Sequence, residues 1–264
     1  MTDSNRITTA LLLAAGTGTR LRPLTRNAPK CLTEVDGRPI LDRLVHTLRA
    51  KGIERLVVVL GHQGDQIREF LRHKAGDMRV DYVFNPEYRT TNNLYSLWLA
   101  RQQIQEPFLL VESDLVFDAS MLDDLLYPDR IAISRLRPWM NGTTVALGSG
   151  NRVAEFRPDC EQHNATLHYK TVNLYSLSLK TWQTMEERLS DYVSDGRLGV
   201  YYEAVFADMV ADGSLAFDAV FFDADRWYEI DTLADLDAAE ELFGSRRSTT
   251  GRSLVTIEPM PTLA

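Results

Sequence analysis

Apolar and polar positions follow two rhythms along this chain. Residues 10–13 are an unbroken apolar run, and residues 55–60 (RLVVVL) are β-branched, so both predict buried strands. Ile40, Leu41, Leu44, Val45 and Leu48 recur at helical spacing and predict a helix over 40–51, stopped by Gly52. Residues 66–71 predict a short helix, 80–84 a strand, and 92–103 a helix with Leu94, Leu97, Trp98 and Ile104 along one side. The strand at 108–111 ends in Glu112-Ser113-Asp114. Strands alternating with helices imply a Rossmann-like α/β fold, with a mixed, mainly parallel sheet flanked by helices. Ligands of such sheets sit at the carboxyl ends of the strands, which puts the loop at Gly16 and Asp114 on one rim.

After residue 118 the pattern turns antiparallel. Strands at 143–147 and 153–156, split by Gly148-Ser149-Gly150-Asn151, predict a hairpin. Residues 171–176 read as a strand, 182–189 and 202–212 as helices. Residues 216–222 and 227–230 are expected to close the sheet before a last helix at 233–243. One domain over 1–244 is expected, with a first half at about 8–118 that carries the Gly16 rim and a second half at about 119–244 that continues the same sheet. The polar stretch 245–264 reads as a flexible tail or linker.

The stretch from Leu13 to Leu32, LAAGTGTRLRPLTRNAPKCL, carries the chemistry. A strand that opens into a Gly-rich loop brings backbone N–H groups close to phosphate oxygens. Leu13, Ala14, Ala15, Gly16, Thr17 and Gly18 form that loop, and Arg20 and Lys30 add fixed positive charge. A tight turn alone explains the glycines, but it needs neither Arg20 nor Lys30. The P-loop pattern does not follow this strand, and the dinucleotide fingerprint lacks its third glycine.

Composition narrows the partners. The net charge of −8 disfavours nucleic acid. No apolar run approaches membrane-spanning length, and the first nine residues lack the apolar core of a signal peptide. Cys31 and Cys160 make no disulfide framework, which suits a cytoplasmic setting. The five histidines are scattered and no Ser/His/Asp arrangement is evident. The sequence leaves homodimerisation open.

Asp114 and Asp231 each end an apolar strand, and Glu229 faces the same side as Asp231 if the strand continues. Two strand-end carboxylates suit a Mg²⁺ that also binds phosphate oxygens. A helix N-cap explains Asp231 equally well, and a plain loop carboxylate explains Asp114.

The pattern G-x-G-x-R-L-x-P-L-T with P-K-x-L downstream resembles the signature of the nucleotidyltransferases that activate sugar phosphates and phospho-alcohols. The run from Asn85 to Leu97, with Asn92-Asn93-Leu94-Tyr95-Ser96-Leu97, and Tyr228-Glu229-Ile230-Asp231 near the end are similar to the phosphocholine and 2-aminoethylphosphonate cytidylyltransferase branch. The resemblance implies Mg²⁺ on Asp114 and Asp231, with Glu229 as a third ligand or acting through water. It implies CTP held by the Gly16 loop, Arg20, Lys30 and Ser113, with Asn92 and Asn93 near the base. An N-cap role for Asn92 or Thr91 is equally open. The acceptor would be a small phosphonate or phospho-alcohol whose phosphoryl oxygen is already ionised, so no general base is needed.

The tryptophan that phosphocholine enzymes carry just before the hairpin falls near Thr143 here; Trp139 is displaced from it but is the tryptophan expected on the substrate side. Tyr169-Lys170-Thr171-Val172-Asn173 looks more like the phosphonate enzymes, which act on 2-aminoethylphosphonate or 2-hydroxyethylphosphonate. There Lys170 is expected to meet the phosphonate. Taken without the resemblance, Lys170 reads as a solvated strand-edge lysine. Tyr201, Tyr202 and Glu203 are expected to line an amine end, although Tyr202 and Val205 equally suit the buried side of a helix. Phosphocholine and sugar-1-phosphate transferases, and a non-catalytic nucleotide sensor, stand as alternatives.

Overall fold

Alternation of apolar strands and amphipathic helices produces a nine-stranded sheet with helices on both faces. The computed structural model describes residues 5–157 and 168–244. The tail at 245–264, Cys160 and His163 lie outside the described residues.

The elements run as follows. Strand β1 is Thr9–Ala14, and a small ribbon joins β2 (Glu34–Val35) to β3 (Arg38–Pro39). Helix α1 (Ile40–Ala50), β4 (Arg55–Leu60), α2 (Gly64–Lys74), β5 (Arg79–Phe84), α3 (Asn93–Ala100) and β6 (Phe108–Glu112) complete the first half. The rest comprises β7 (Leu115–Phe117), β8 (Arg130–Arg135), β9 (Thr144–Leu147), β10 (Val153–Arg157), β11 (His168–Leu177), α4 (Leu179–Ser194), α5 (Glu203–Ala211), β12 (Asp218–Phe222), β13 (Trp227–Glu229) and α6 (Leu233–Phe243).

The sheet order is β10-β9-β11-β6-β1-β4-β5, with β8 and β12 added alongside β11. Strands β5, β4, β1 and β6 are parallel, whereas β11 runs antiparallel to β6. Helices α3, α4 and α5 cover one face, and their core is rich in aromatic rings. Helices α1 and α2 cover the other. Chain alternation thus places the carboxyl ends of β1, β4 and β6 on one rim, as the crossover rule requires.

Three expectations need correction. Strand β8 (RIAISR) was not foreseen; its arginine ends hide a short apolar centre. Residues 227–229 do not close the main sheet, because β13 pairs only with β7 in a separate ribbon. That ribbon carries Asp114 and Asp231 at its end, where Ile230 N–H donates to the Asp114 carbonyl at 3.0 Å. Lys170 is not on an edge: β11 is paired with β9 and β8 on its two sides there, and Lys170 is only 2% exposed.

Candidate active site

A cleft of about 880 Å³ opens along the carboxyl rim. Leu13, Ala15, Gly16, Gly18, Arg20 and Lys30 line one end. Gly18 adopts the left-handed region (φ 59°), and a Cβ there would press on Lys30 and Thr25 at 3.1 Å. Glycine therefore lets the loop fold back against the segment that delivers Lys30. The Gly18 carbonyl accepts the Thr25 hydroxyl at 2.6 Å, which closes the turn. Ala14 is buried within β1, and neither it nor Thr17 is part of the lining.

Lys30 links the two strand-end aspartates. Its Nζ donates to Asp114 Oδ2 at 2.7 Å and to Asp231 Oδ1 at 2.6 Å. Arg20 Nη2 also reaches Asp231 Oδ1, at 2.8 Å. Burial alone would lower the Lys30 pKa, but the two carboxylates outweigh it and hold the ammonium above its ordinary value. Asp231 is free of capping duty. Thr232 caps α6 and closes a capping box with Asp235, so the N-cap alternative for Asp231 falls.

Asp114 and Asp231 suit a hard divalent cation. Their oxygens already converge on one cationic atom, and Asp114 Oδ1 is buried without a hydrogen-bond partner. Mg²⁺ takes few protein oxygens and keeps water or phosphate for the rest, which this pair permits. Glu229 is engaged elsewhere: it accepts Asn173 Nδ2 at 3.0 Å and lies 3.3 Å from Lys170 Nζ. Among the described residues no group of three His, Cys, Asp or Glu side chains converges as a metal site.

The Lys170 arrangement depends on a bulge in β11. Pairing with β8 shifts register between Thr171 and Tyr175, and Asn173 between them has φ 58°. The two extra residues this leaves on β11 twist the strand and re-aim its side chains. Asn173 thereby bonds Glu229 and accepts the Thr171 hydroxyl at 3.1 Å. Lys170 Nζ donates to the Thr171 carbonyl at 2.7 Å. Lysine is almost never this buried without partners, so the cleft holds a deliberately placed cation. Asn173 was missed in the sequence, where nothing local marks a bulge.

Asn92 is the N-cap of α3, its side chain accepting Asn93 N–H at 2.8 Å. Asn93 uses its amide twice, donating to Glu112 Oε1 at 3.0 Å and accepting Tyr202 N–H at 3.0 Å. Both asparagines line the cleft, beside Asn85, Tyr88, Thr91 and Ser96 of the same run. Ser113 also lines it.

Two acceptor-end expectations change. Tyr202 is fully buried, packed on Tyr175 and Phe206, because it starts α5 on the core-facing side. Trp139 is 57% exposed and borders a small side cavity with Met140 and Trp227, outside the main cleft. Glu203 does line the cleft and is 8% exposed, with Oε2 unpartnered. Glu112, at the end of β6, joins it there.

Burial pushes the Glu203 carboxyl up to about 7 from an ordinary 4.5. The folded chain then binds more protons than the unfolded chain between these values, so stability falls as pH rises through that window. Glu203→Gln removes the ionisation. It should gain about 3 kcal/mol on the wild type between about pH 4.5 and pH 8. Thermal unfolding of both proteins across that range checks this; parallel curves would show that Glu203 ionises normally. Cys31, buried beside the Lys30 segment, has its thiol pushed up to about 12 by burial and is inert at neutral pH. No helix of the described residues is long and apolar enough to cross a membrane.

Residues 10–136, which span the Gly16 loop, Lys30 and Asp114, match the MobA-like NTP transferase domain family. That match takes in just under half of the chain and makes it similar, over this stretch, to nucleotidyltransferases. It is 32% identical over 252 residues to the CMP-5'-(3-aminopropyl)phosphonate synthase of Streptomyces rubellomurinus; the match covers 90% of this chain but only 39% of that protein. It is 27% identical over 235 residues to the choline-phosphate cytidylyltransferase of Streptococcus pneumoniae, covering 88% of this chain and 97% of the relative. The solved CTP:phosphocholine cytidylyltransferase of Streptococcus pneumoniae superposes with a TM-score of 0.77 at 23% identity, over 90% of this chain and 99% of that one. The inositol-1-phosphate CTP transferase of T. maritima gives 0.72 at 21% identity, over 90% and 95%. At such identities the structural likeness shows the shared fold.

Proposed function

We propose that this chain is a Mg²⁺-dependent cytidylyltransferase that moves CMP from CTP to a small alkyl phosphonate. An acceptor phosphonate oxygen attacks the α-phosphorus of CTP, the bond to the β-phosphate oxygen breaks, and pyrophosphate leaves. The observation that carries the acceptor class is Lys170, a second buried cation in the cleft, held by Glu229 and not by the Asp114–Asp231 pair that Lys30 bridges. A cleft with two separately anchored lysines suits two phosphoryl-bearing ligands brought together there.

The Gly16 loop and Arg20 would bind the triphosphate, and Lys30 would neutralise charge as it develops. Asp114 and Asp231 would hold Mg²⁺, which supplies Lewis-acid polarisation of phosphate oxygens. No general base is required, which agrees with a described cleft lined by no histidine. Sequence similarity to the phosphonate synthase supports phosphonate over phosphocholine, and so does the position of Trp139 outside the cleft, since a quaternary ammonium calls for an aromatic cage.

Pyrophosphate release with CTP and Mg²⁺ tests this across 2-aminoethylphosphonate, 2-hydroxyethylphosphonate, phosphocholine and glucose-1-phosphate. One of the phosphonates is expected to exceed the other two acceptors by at least about tenfold in kcat/KM. A preference for phosphocholine or glucose-1-phosphate would overturn the assignment.

A further inference from the structure

The stretch between α4 and α5, residues 195–202, is neither strand nor helix, yet it builds one wall of the cleft. Gly199, Val200 and Tyr201 line the cleft, followed by Glu203 and Ala204 at the start of α5. A stretch without ladder or helix bonds of its own is placed by whatever its backbone groups reach. Its first residues are tied to α4, since Gly196 N–H donates to the Val193 carbonyl and Arg197 N–H to that of Tyr192. Its later residues are tied to the start of α3. Among the described residues three hydrogen bonds make that tie, and each uses Asn92 or Asn93. Asn92 N–H donates to the Leu198 carbonyl at 2.8 Å, and Asn92 Nδ2 to the Gly199 carbonyl at 3.3 Å. Tyr202 N–H donates to Asn93 Oδ1 at 3.0 Å.

The residue type at both positions follows from these partners. Capping α3 does not call for asparagine at 92, because serine and aspartate cap as well. Asn92 accepts Asn93 N–H with its oxygen and donates to Gly199 with its nitrogen. A carboxylate has no hydrogen to donate, and a serine hydroxyl ends one atom sooner. Asn93 meets an N–H donor at its oxygen and the Glu112 carboxyl at its nitrogen, which fixes the orientation of the amide. Each side chain thus has one end on the wall and the other on α3 or β6. An amide engaged at both ends does not turn to the edge of a base without releasing the wall.

We infer that Asn92 and Asn93 are positioning residues that clamp the 198–202 wall to α3 and β6, thereby fix the part of the cleft beside Lys170, and leave selection of the base to other residues. This rests on the phosphonate reading above, in which Lys170 meets the acceptor. The wall and Lys170 bound the same space, because the lysine is close enough for its charge to be felt at Glu203. Tyr201, 59% exposed, stands on the clamped stretch and faces that space with its neighbours. With the clamp gone the wall can shift, and a shift of about 1 Å is enough to misplace a reacting group. The nucleotide is held from the Gly16 side and does not depend on the clamp.

The test uses Asn92→Ser, which keeps a good cap, and Asn93→Ala, which keeps a good helix former and removes both amide contacts. Pyrophosphate release is measured with whichever of 2-aminoethylphosphonate and 2-hydroxyethylphosphonate the wild type prefers. Dissociation constants for CTP and UTP are measured without acceptor. Each variant should raise the acceptor KM by about tenfold. The ratio of CTP to UTP affinity should stay within about twofold of the wild type. Hydrogen exchange at Tyr202 N–H should quicken by about tenfold or more in Asn93→Ala. Thermal unfolding verifies that the variants are folded, and Asn92→Ser decides if Asn93→Ala fails to fold. A loss of CTP-over-UTP discrimination in either variant overturns the inference and makes the asparagines readers of the base. An unchanged acceptor KM in both variants also overturns it, and either result leaves the phosphonate reading standing. A wild type that turns over no phosphonate overturns the parent reading, and this inference with it.

Discussion

Lys30→Met should lower pyrophosphate release by about 10³-fold. The ammonium sits 2.7 Å from Asp114 and 2.6 Å from Asp231, at the mouth of the Gly16 loop. A triphosphate entering that loop competes with both aspartates for Lys30. Once transferred to phosphate, the same charge opposes the negative charge that builds as pyrophosphate departs. Methionine keeps the length and loses the charge. It also leaves Asp114 without a cation and Asp231 with Arg20 alone, which should cost about 3 kcal/mol of stability. Mg²⁺ should restore more stability to this variant than to the wild type, because it neutralises the same pair. Melting curves with EDTA and with Mg²⁺, beside steady-state kinetics in CTP, check both parts. Lys30→Arg should rescue poorly, since a planar fork does not fit where a compact point charge bridges two carboxylates. Wild-type turnover in Lys30→Met would remove the residue from the mechanism.

Asp114→Asn should reduce turnover by at least about 10³-fold and leave the remainder insensitive to Mg²⁺. Asparagine preserves the shape, so the β6 end and the Ile230 hydrogen bond to the Asp114 carbonyl remain. Lys30 keeps its contact with Asp231. The lost element is the carboxylate charge, together with the buried Oδ1 that has no partner within the protein. CTP affinity should fall less than turnover, because the Gly16 loop and Arg20 are untouched. Rate measured against Mg²⁺ concentration decides the matter. An unaltered Mg²⁺ half-saturation would assign the cation to other residues.

These two positions were visible before any fold was known, for a local reason. Gly16, Gly18, Arg20 and Lys30 occur in one short segment, and Asp114 directly follows an apolar strand. Asp231 was ambiguous, because a helix start wants an aspartate as much as a metal does. Only the capping box of Thr232 and Asp235 released it. Asn92 resolved the other way and proved to be a cap that also lines the cleft. Tyr202 and Glu203 are neighbours, yet one faces the core and the other the cleft. The phase of α5 sets that choice, and sequence alone left it open. Trp139 is placed by an irregular segment without periodicity, and it ended outside the cleft.

The amino-acid sequence by itself determined the alternating strands and helices, the phosphate-type loop and its two cations, because each is encoded within a few consecutive residues. The tertiary structure decided which charges meet. Lys30 and Asp231 are 201 residues apart in the chain, Asn173 and Glu229 are 56 apart, and Tyr202 reaches Asn93 across 109. Those meetings depend on strand order, on the β11 bulge and on the separate β7–β13 ribbon. Hydrophobic periodicity reports which face of an element is buried, and carries no record of which distant element lies beside it.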